Sequence, residues 1–83
     1  MNDLKEYYFL EQINNARINT RLLHELHPEK TIEFIEKILD VNYATFRMWY
    51  SGGSDYFNNK LTQIANLYEV SVDDLISSNA TFF

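Results

Sequence analysis

A chain of 83 residues, 46% hydrophobic and 16% aromatic, has room for one domain around one core and is too apolar to be disordered throughout. The absence of cysteine excludes disulfides and thiolate metal sites, and the absence of any run of about 18 apolar residues excludes a membrane-spanning helix. A formal net charge of −5 argues against a surface drawn everywhere to nucleic acid or anionic lipid, although residues 42–68, with Arg47 and Lys60 against Asp55, form the one segment that is not acidic.

The opening Met1-Asn2-Asp3-Leu4-Lys5-Glu6 has no basic stretch followed by an apolar run, so no secretory leader is expected. From about Asp3 to Leu26, Phe9, Ile13, Ala16, Thr20 and Leu23 recur at spacings of four and three, which is a helical stripe. Ile18 and Leu22 fall off it, and Asn14, Asn15 and Asn19 are weak helix formers, so one long helix or two short ones are both open. His24 and His27 lie three apart near the helix end; a metal site would need a further ligand from elsewhere, and a solvated helix end is the expectation.

His27-Pro28-Glu29 is read as the start of a second helix reaching Leu39, because proline at the first helical position lacks only an N–H that would be unpaired there. Ile32, Ile35, Ile38 and Leu39 make its apolar face. Asp40 and Val41 lead to Asn42, a good N-cap for a third helix, Tyr43 to Tyr50, in which Phe46 and Trp49 face inward and Tyr43, Ala44, Arg47 and Met48 face out. Ser51-Gly52-Gly53-Ser54 stops it. Asn58 or Asn59 is expected to cap a fourth helix with Leu61, Ile64, Ala65 and Tyr68 on its apolar side, ending near Glu69. Ser71 and Asp74 have capping-box spacing ahead of a fifth helix, Val72 to about Ser77, that buries Val72, Leu75 and Ile76. Residues 78–83 read as a flexible tail unless Phe82 and Phe83 dock. The expected fold is thus all-α, a compact bundle of about five helices in a single domain spanning residues 1–83.

Two short helices joined by Asp40-Val41-Asn42 have the proportions of a helix-turn-helix, a weak signal by itself. The runs Leu39 to Gly52, LDVNYATFRMWYSG, and Leu61 to Ile76, LTQIANLYEVSVDDLI, resemble the Cro and phage-repressor helix-turn-helix family. That family ends its recognition helix with a tryptophan-containing turn and a glycine, and its next helix reads L-x-x-I-A-x-x-L-x-V-S-x-D-x-L. Leu61, Ile64, Ala65, Val70, Ser71, Asp74 and Leu75 fit this pattern, and the likeness covers roughly residues 31–77, leaving 1–30 as an N-terminal helical extension. The chain departs from the family at Ile32, where a polar reader such as Gln is usual, at Glu36, where a small Ala is preferred, and at Asp40, where Gly is preferred.

The resemblance implies a lambda-repressor-like fold and a DNA-binding transcriptional regulator acting as a homodimer on a two-fold operator, in the cytoplasm of a bacterium or a phage-infected cell. It implies that Tyr43, Ala44 and Arg47 point at base edges while Thr45 and the loop from Ser51 to Tyr56 lie near phosphates, with Arg47 contacting guanine O6 and N7. An ion pair with Asp55, or plain solvation, is the alternative for Arg47. Met48, Tyr50 and Lys60 complete the candidate surface, Lys60 as a sequence-independent contact. Acidic Glu36 and Asp40 would repel phosphates, and the aromatic and Met rim, Tyr43, Met48, Tyr50, Tyr56 and Phe57, is also what protein interfaces favour. A second reading therefore stands beside the first: an acidic protein-binding regulator on the same scaffold, an antirepressor or anti-CRISPR-like inhibitor that docks on a basic, nucleic-acid-binding protein. No catalytic cluster, phosphate loop, cofactor motif, metal site or small-molecule site is found, so no enzyme is expected.

Overall fold

The long apolar stripe folds as one uninterrupted helix, α1 (Asn2–Leu26), in a computed structural model that describes the backbone of residues 2–82 and the side chains of residues 9–82. Ile13, Ala16, Thr20 and Leu23 are buried as the spacing demands, while Ile18 and Leu22 are exposed. Phe9, counted on the same stripe, is 48% exposed. The asparagines do not break the helix. Asn15 Nδ2 donates to the Ile76 carbonyl at 3.1 Å, and Asn19 Nδ2 donates to the Leu75 and Ser77 carbonyls at 2.8 Å each. Their amides bind another helix end instead of competing for their own backbone.

Pro28 does not begin the second helix. His27 to Lys30 is a turn with proline in its second position, closed by Lys30 N–H on the His27 carbonyl at 3.0 Å. The start belongs to Thr31, whose Oγ1 accepts from Phe34 N–H at 3.2 Å, and α2 runs Ile32–Leu39. A helix of only two turns presents one narrow inner edge. Ile35 and Leu39 occupy it, whereas Ile32 and Ile38, expected inside, are about half exposed at 51% and 49%.

α2 ends on Asp40, in the left-handed conformation with φ 53°, and three residues separate it from α3 (Tyr43–Tyr50). α4 follows as Leu61–Tyr68 and α5 as Val72–Leu75, shorter than the expected reach to Ser77. Neither Asn58 nor Asn59 caps α4. Lys60 precedes it without a side-chain cap, because Asn58 is held elsewhere, its Oδ1 accepting from Trp49 Nε1–H at 2.8 Å. Ser71 does cap α5, its Oγ accepting from Asp74 N–H at 3.0 Å.

The core gathers Phe46 and Trp49 of α3, Phe57 of the following loop, Ile64, Ala65, Leu67 and Tyr68 of α4 and Leu75 of α5 against α1 and α2. Phe57, grouped with the aromatic rim in the sequence, is core: it is fully buried, and its ring stands edge-on to Phe46 at 5.8 Å and to Trp49 at 5.7 Å between centroids. Phe82 packs partly against this core, so the tail is anchored at that point, and Phe83 lies outside the described residues. The described residues are all-helical, and no helix among them is long and apolar enough to cross a membrane.

Candidate nucleic-acid interface

The third helix is fixed at both ends and from beneath. At its start Asn42 Oδ1 accepts from Ala44 N–H at 2.9 Å, and Glu36 Oε2, reaching over from α2, accepts from Tyr43 N–H at 2.9 Å. Glu36 is therefore an anion at a helix N-terminus, where the unpaired amides and the helix dipole favour it. It does not point at an outside phosphate. At the far end Gly52 takes φ 93°, and its N–H and that of Gly53 close on the Trp49 and Met48 carbonyls at 3.0 and 2.8 Å. This double closure is a Schellman motif, and the positive φ calls for glycine. Fully buried Phe46 and Trp49 hold the inner face to the core.

What remains outward is a groove of about 520 Å3 lined by Asn42, Tyr43, Ala44, Arg47, Met48 and Ser51. Five expected surface residues thus meet in one place: Tyr43, Ala44, Arg47, Met48 and Ser51. Arg47 is exposed and supplies the groove's cation. It makes no ion pair with Asp55; that carboxylate meets Arg17 of α1 at 3.4 Å. Asn42 belongs to the groove as well, a role its N-cap signal concealed.

Thr45, Tyr50 and Lys60 are not brought into it. Thr45 is partly buried, and Lys60 sits ahead of α4 with its Nζ 3.8 Å above the Tyr56 ring. Tyr50 lines two neighbouring depressions shared with Ile18 of α1, one of which also takes in Arg21, Leu22 and Glu25. Tyr43, expected to face out, is partly buried. Its hydroxyl stands 2.9 Å from His24 Nε2 and 3.0 Å from the Tyr50 hydroxyl. His24 accordingly leaves the solvated helix end expected of it and packs between aromatic rings, 5.6 Å from Tyr43 and 5.9 Å from Tyr50. Burial, and then the bond to Tyr43, push the Tyr50 phenol up to about 12.

The loop leaving α3 is clamped from α1. Arg17 Nη2 donates to the Ser54 carbonyl at 2.7 Å and reaches Asn58 Oδ1 at 3.4 Å, while its guanidinium lies 5.8 Å from the Trp49 ring centre. One more cation is thereby spent on structure. No cluster of three metal-ligating side chains occurs among the described residues. No family model matches this chain, and neither a curated protein nor a solved structure does.

Proposed function

We propose that this chain is a small helix-turn-helix regulator that binds duplex DNA with the outer face of α3, acting as a homodimer in a bacterial or phage-infected cytoplasm. The observation that carries the reading is the pair of eight-residue helices α2 and α3, joined by three residues, with the second helix presenting Ala44, Arg47 and Met48 on a face lined, among the described residues, by α3 and its flanking Asn42 and Ser51 alone. The turn supports it further. Asp40 adopts φ 53° at the place where the family it resembles prefers glycine, so the chain keeps the backbone conformation that glycine would serve and departs only in the residue type.

The test is selection from a pool of random duplexes at graded salt, with size exclusion of the protein alone. Enrichment of a two-fold site, lost on Arg47→Ala while the helical signal persists, is the expected outcome. No enrichment at low salt would sink the reading.

A second reading has its own observation. Ile32, Phe34 and Ile38 of α2 are 51%, 39% and 49% exposed, and a chain of net charge −5 suits a basic protein partner. It expects Phe34→Ser to abolish capture of a basic nucleic-acid-binding protein while Arg47→Ala leaves that capture unchanged.

A further inference from the structure

The groove on α3 is selective in what it leaves free. Asn42 Oδ1 is occupied by Ala44 N–H, and the Tyr43 hydroxyl is taken up between His24 and Tyr50. The side-chain pairs that read adenine and cytosine are a bidentate Asn or Gln and a carboxylate. The groove holds no carboxylate, and its one amide is tied to the cap. What stands outward is one guanidinium beside two apolar side chains, Ala44 and Met48, which lie four residues apart on the same face.

Met48 lines the groove and is 55% exposed, and its Cγ borders the turn that ends α3, so that a Cβ at position 53 would stand 3.1 Å from it. Apolar side chains in a major groove recognise the C5-methyl of thymine, and an arginine recognises O6 and N7 of guanine.

Resting on the DNA reading, we propose that this groove recognises a guanine and a thymine methyl together, Arg47 taking the guanine and Ala44 with Met48 enclosing the methyl. Side chains three and four apart on a helix stand about 5–6 Å from one another. Base pairs rise about 3.4 Å, so the two features lie within two base pairs of each other.

The experiment takes the duplex returned by selection and replaces the thymine nearest the Arg47-dependent guanine with deoxyuracil, which deletes the methyl and nothing else. The intact protein should lose about 4-fold in affinity, the amount one buried methyl group contributes. In Met48→Gln, an exposed position whose fold is checked by its thermal melt, the same replacement should cost clearly less than in the parent, and an equal loss in both proteins would remove Met48 from the methyl site. Replacing the guanine should cost about 5- to 150-fold in the native protein and little in Arg47→Ala. Selection of a guanine-containing site on which deoxyuracil has no effect would overturn this inference and leave the DNA reading standing. A pool that returns no sequence overturns both.

Discussion

The Tyr68 hydroxyl is buried in the core, where the residue is 4% exposed, and finds no hydrogen-bond partner among the described residues. Such a group contributes ring packing and a desolvation cost together. Tyr68→Phe keeps the first and removes the second, so urea denaturation should find the variant at least as stable as the parent, by up to about 2 kcal/mol; a loss above about 1 kcal/mol would mean that the hydroxyl has a partner. The same burial raises the phenol of Tyr68, as it raises Tyr50 to about 12 from 10.0. A group whose proton is held more tightly when folded gives stability that is complete below its unfolded pKa and is lost as pH rises through the folded one. Melting temperature should therefore fall as pH rises from about 10 towards 12, and fall less in Tyr68→Phe. Periodicity marked Ile13, Ala16, Thr20 and Leu23 of α1 as buried, because burial on a helix is a matter of spacing, but it also counted the half-exposed Phe9 and left out the buried Asn19. It was silent on Asn15 and Asn19, whose partners are carbonyls more than 50 positions away. The same is true of His24, whose place between Tyr43 and Tyr50 is a long-range fact that no local pattern records.

At the scale of elements, the joints are made by side chains on backbone and by left-handed residues. Asn19 carries α5, and the tail that follows it, on two 2.8 Å bonds, one to the carbonyl of Leu75, the last residue of this four-residue helix, and one to that of Ser77 beyond it. A helix that short has no stability of its own. Asn19→Ala should cost about 1–3 kcal/mol by urea denaturation, since it strips buried carbonyls of their donor; a change under about 0.5 kcal/mol would show that α5 is held by Leu75 and Ile76 alone. Glu69, which ends α4 with φ 58°, is the converse case. Left-handed backbone costs an L-residue about 1–2 kcal/mol that glycine escapes, so Glu69→Gly should raise the melting temperature, and Gly52→Ala, at φ 93°, should lower it. The boundaries of α3 were legible in the sequence because Asn42 and Gly52 are strong punctuation at either end. That of α2 was not: Pro28 suits the second position of a turn as well as the first of a helix, and Thr31, four residues from the histidine where the turn begins, had the stronger claim on the N-terminus. Asn58 misled for a different reason, its oxygen being engaged by the Trp49 indole before α4 begins.

Across the whole molecule, charge decides how the proposed α3 surface would hold DNA. The protein carries 7 Lys and Arg against 12 Asp and Glu, and the fold diverts several of the cations. Arg17 is bound into the loop after α3, Arg21 lies 3.5 Å from Glu25, and Lys30 lies 5.2 Å from the Phe34 ring centre. Arg47 remains on the proposed reading side, while Lys60 stands ahead of α4 over the Tyr56 ring and Glu36 is already seated on the N-terminal amides of α3 that would otherwise attract a phosphate. A protomer that neutralises about two or three phosphates releases few counterions, and its affinity should fall only about 10- to 40-fold between 50 and 200 mM salt, against the 1,000-fold or more of a protein making six or more phosphate contacts. Binding titrations of the selected duplex across that range measure the slope directly. A slope near zero would exclude phosphate contacts and with them the duplex as ligand. One as steep as six charges per protomer would place cations on the DNA that this fold holds elsewhere, and the docking face would have to be sought away from α3. The shallow slope also bears on assembly. With so little non-specific attraction, a single half-site is weakly held, and useful affinity requires two copies of α3 on one duplex. Where size exclusion finds monomers, binding to a two-fold site should then rise with the square of protein concentration at low occupancy; where it finds dimers, the rise should be linear. In both cases a half-site duplex should bind too weakly to detect under the same conditions.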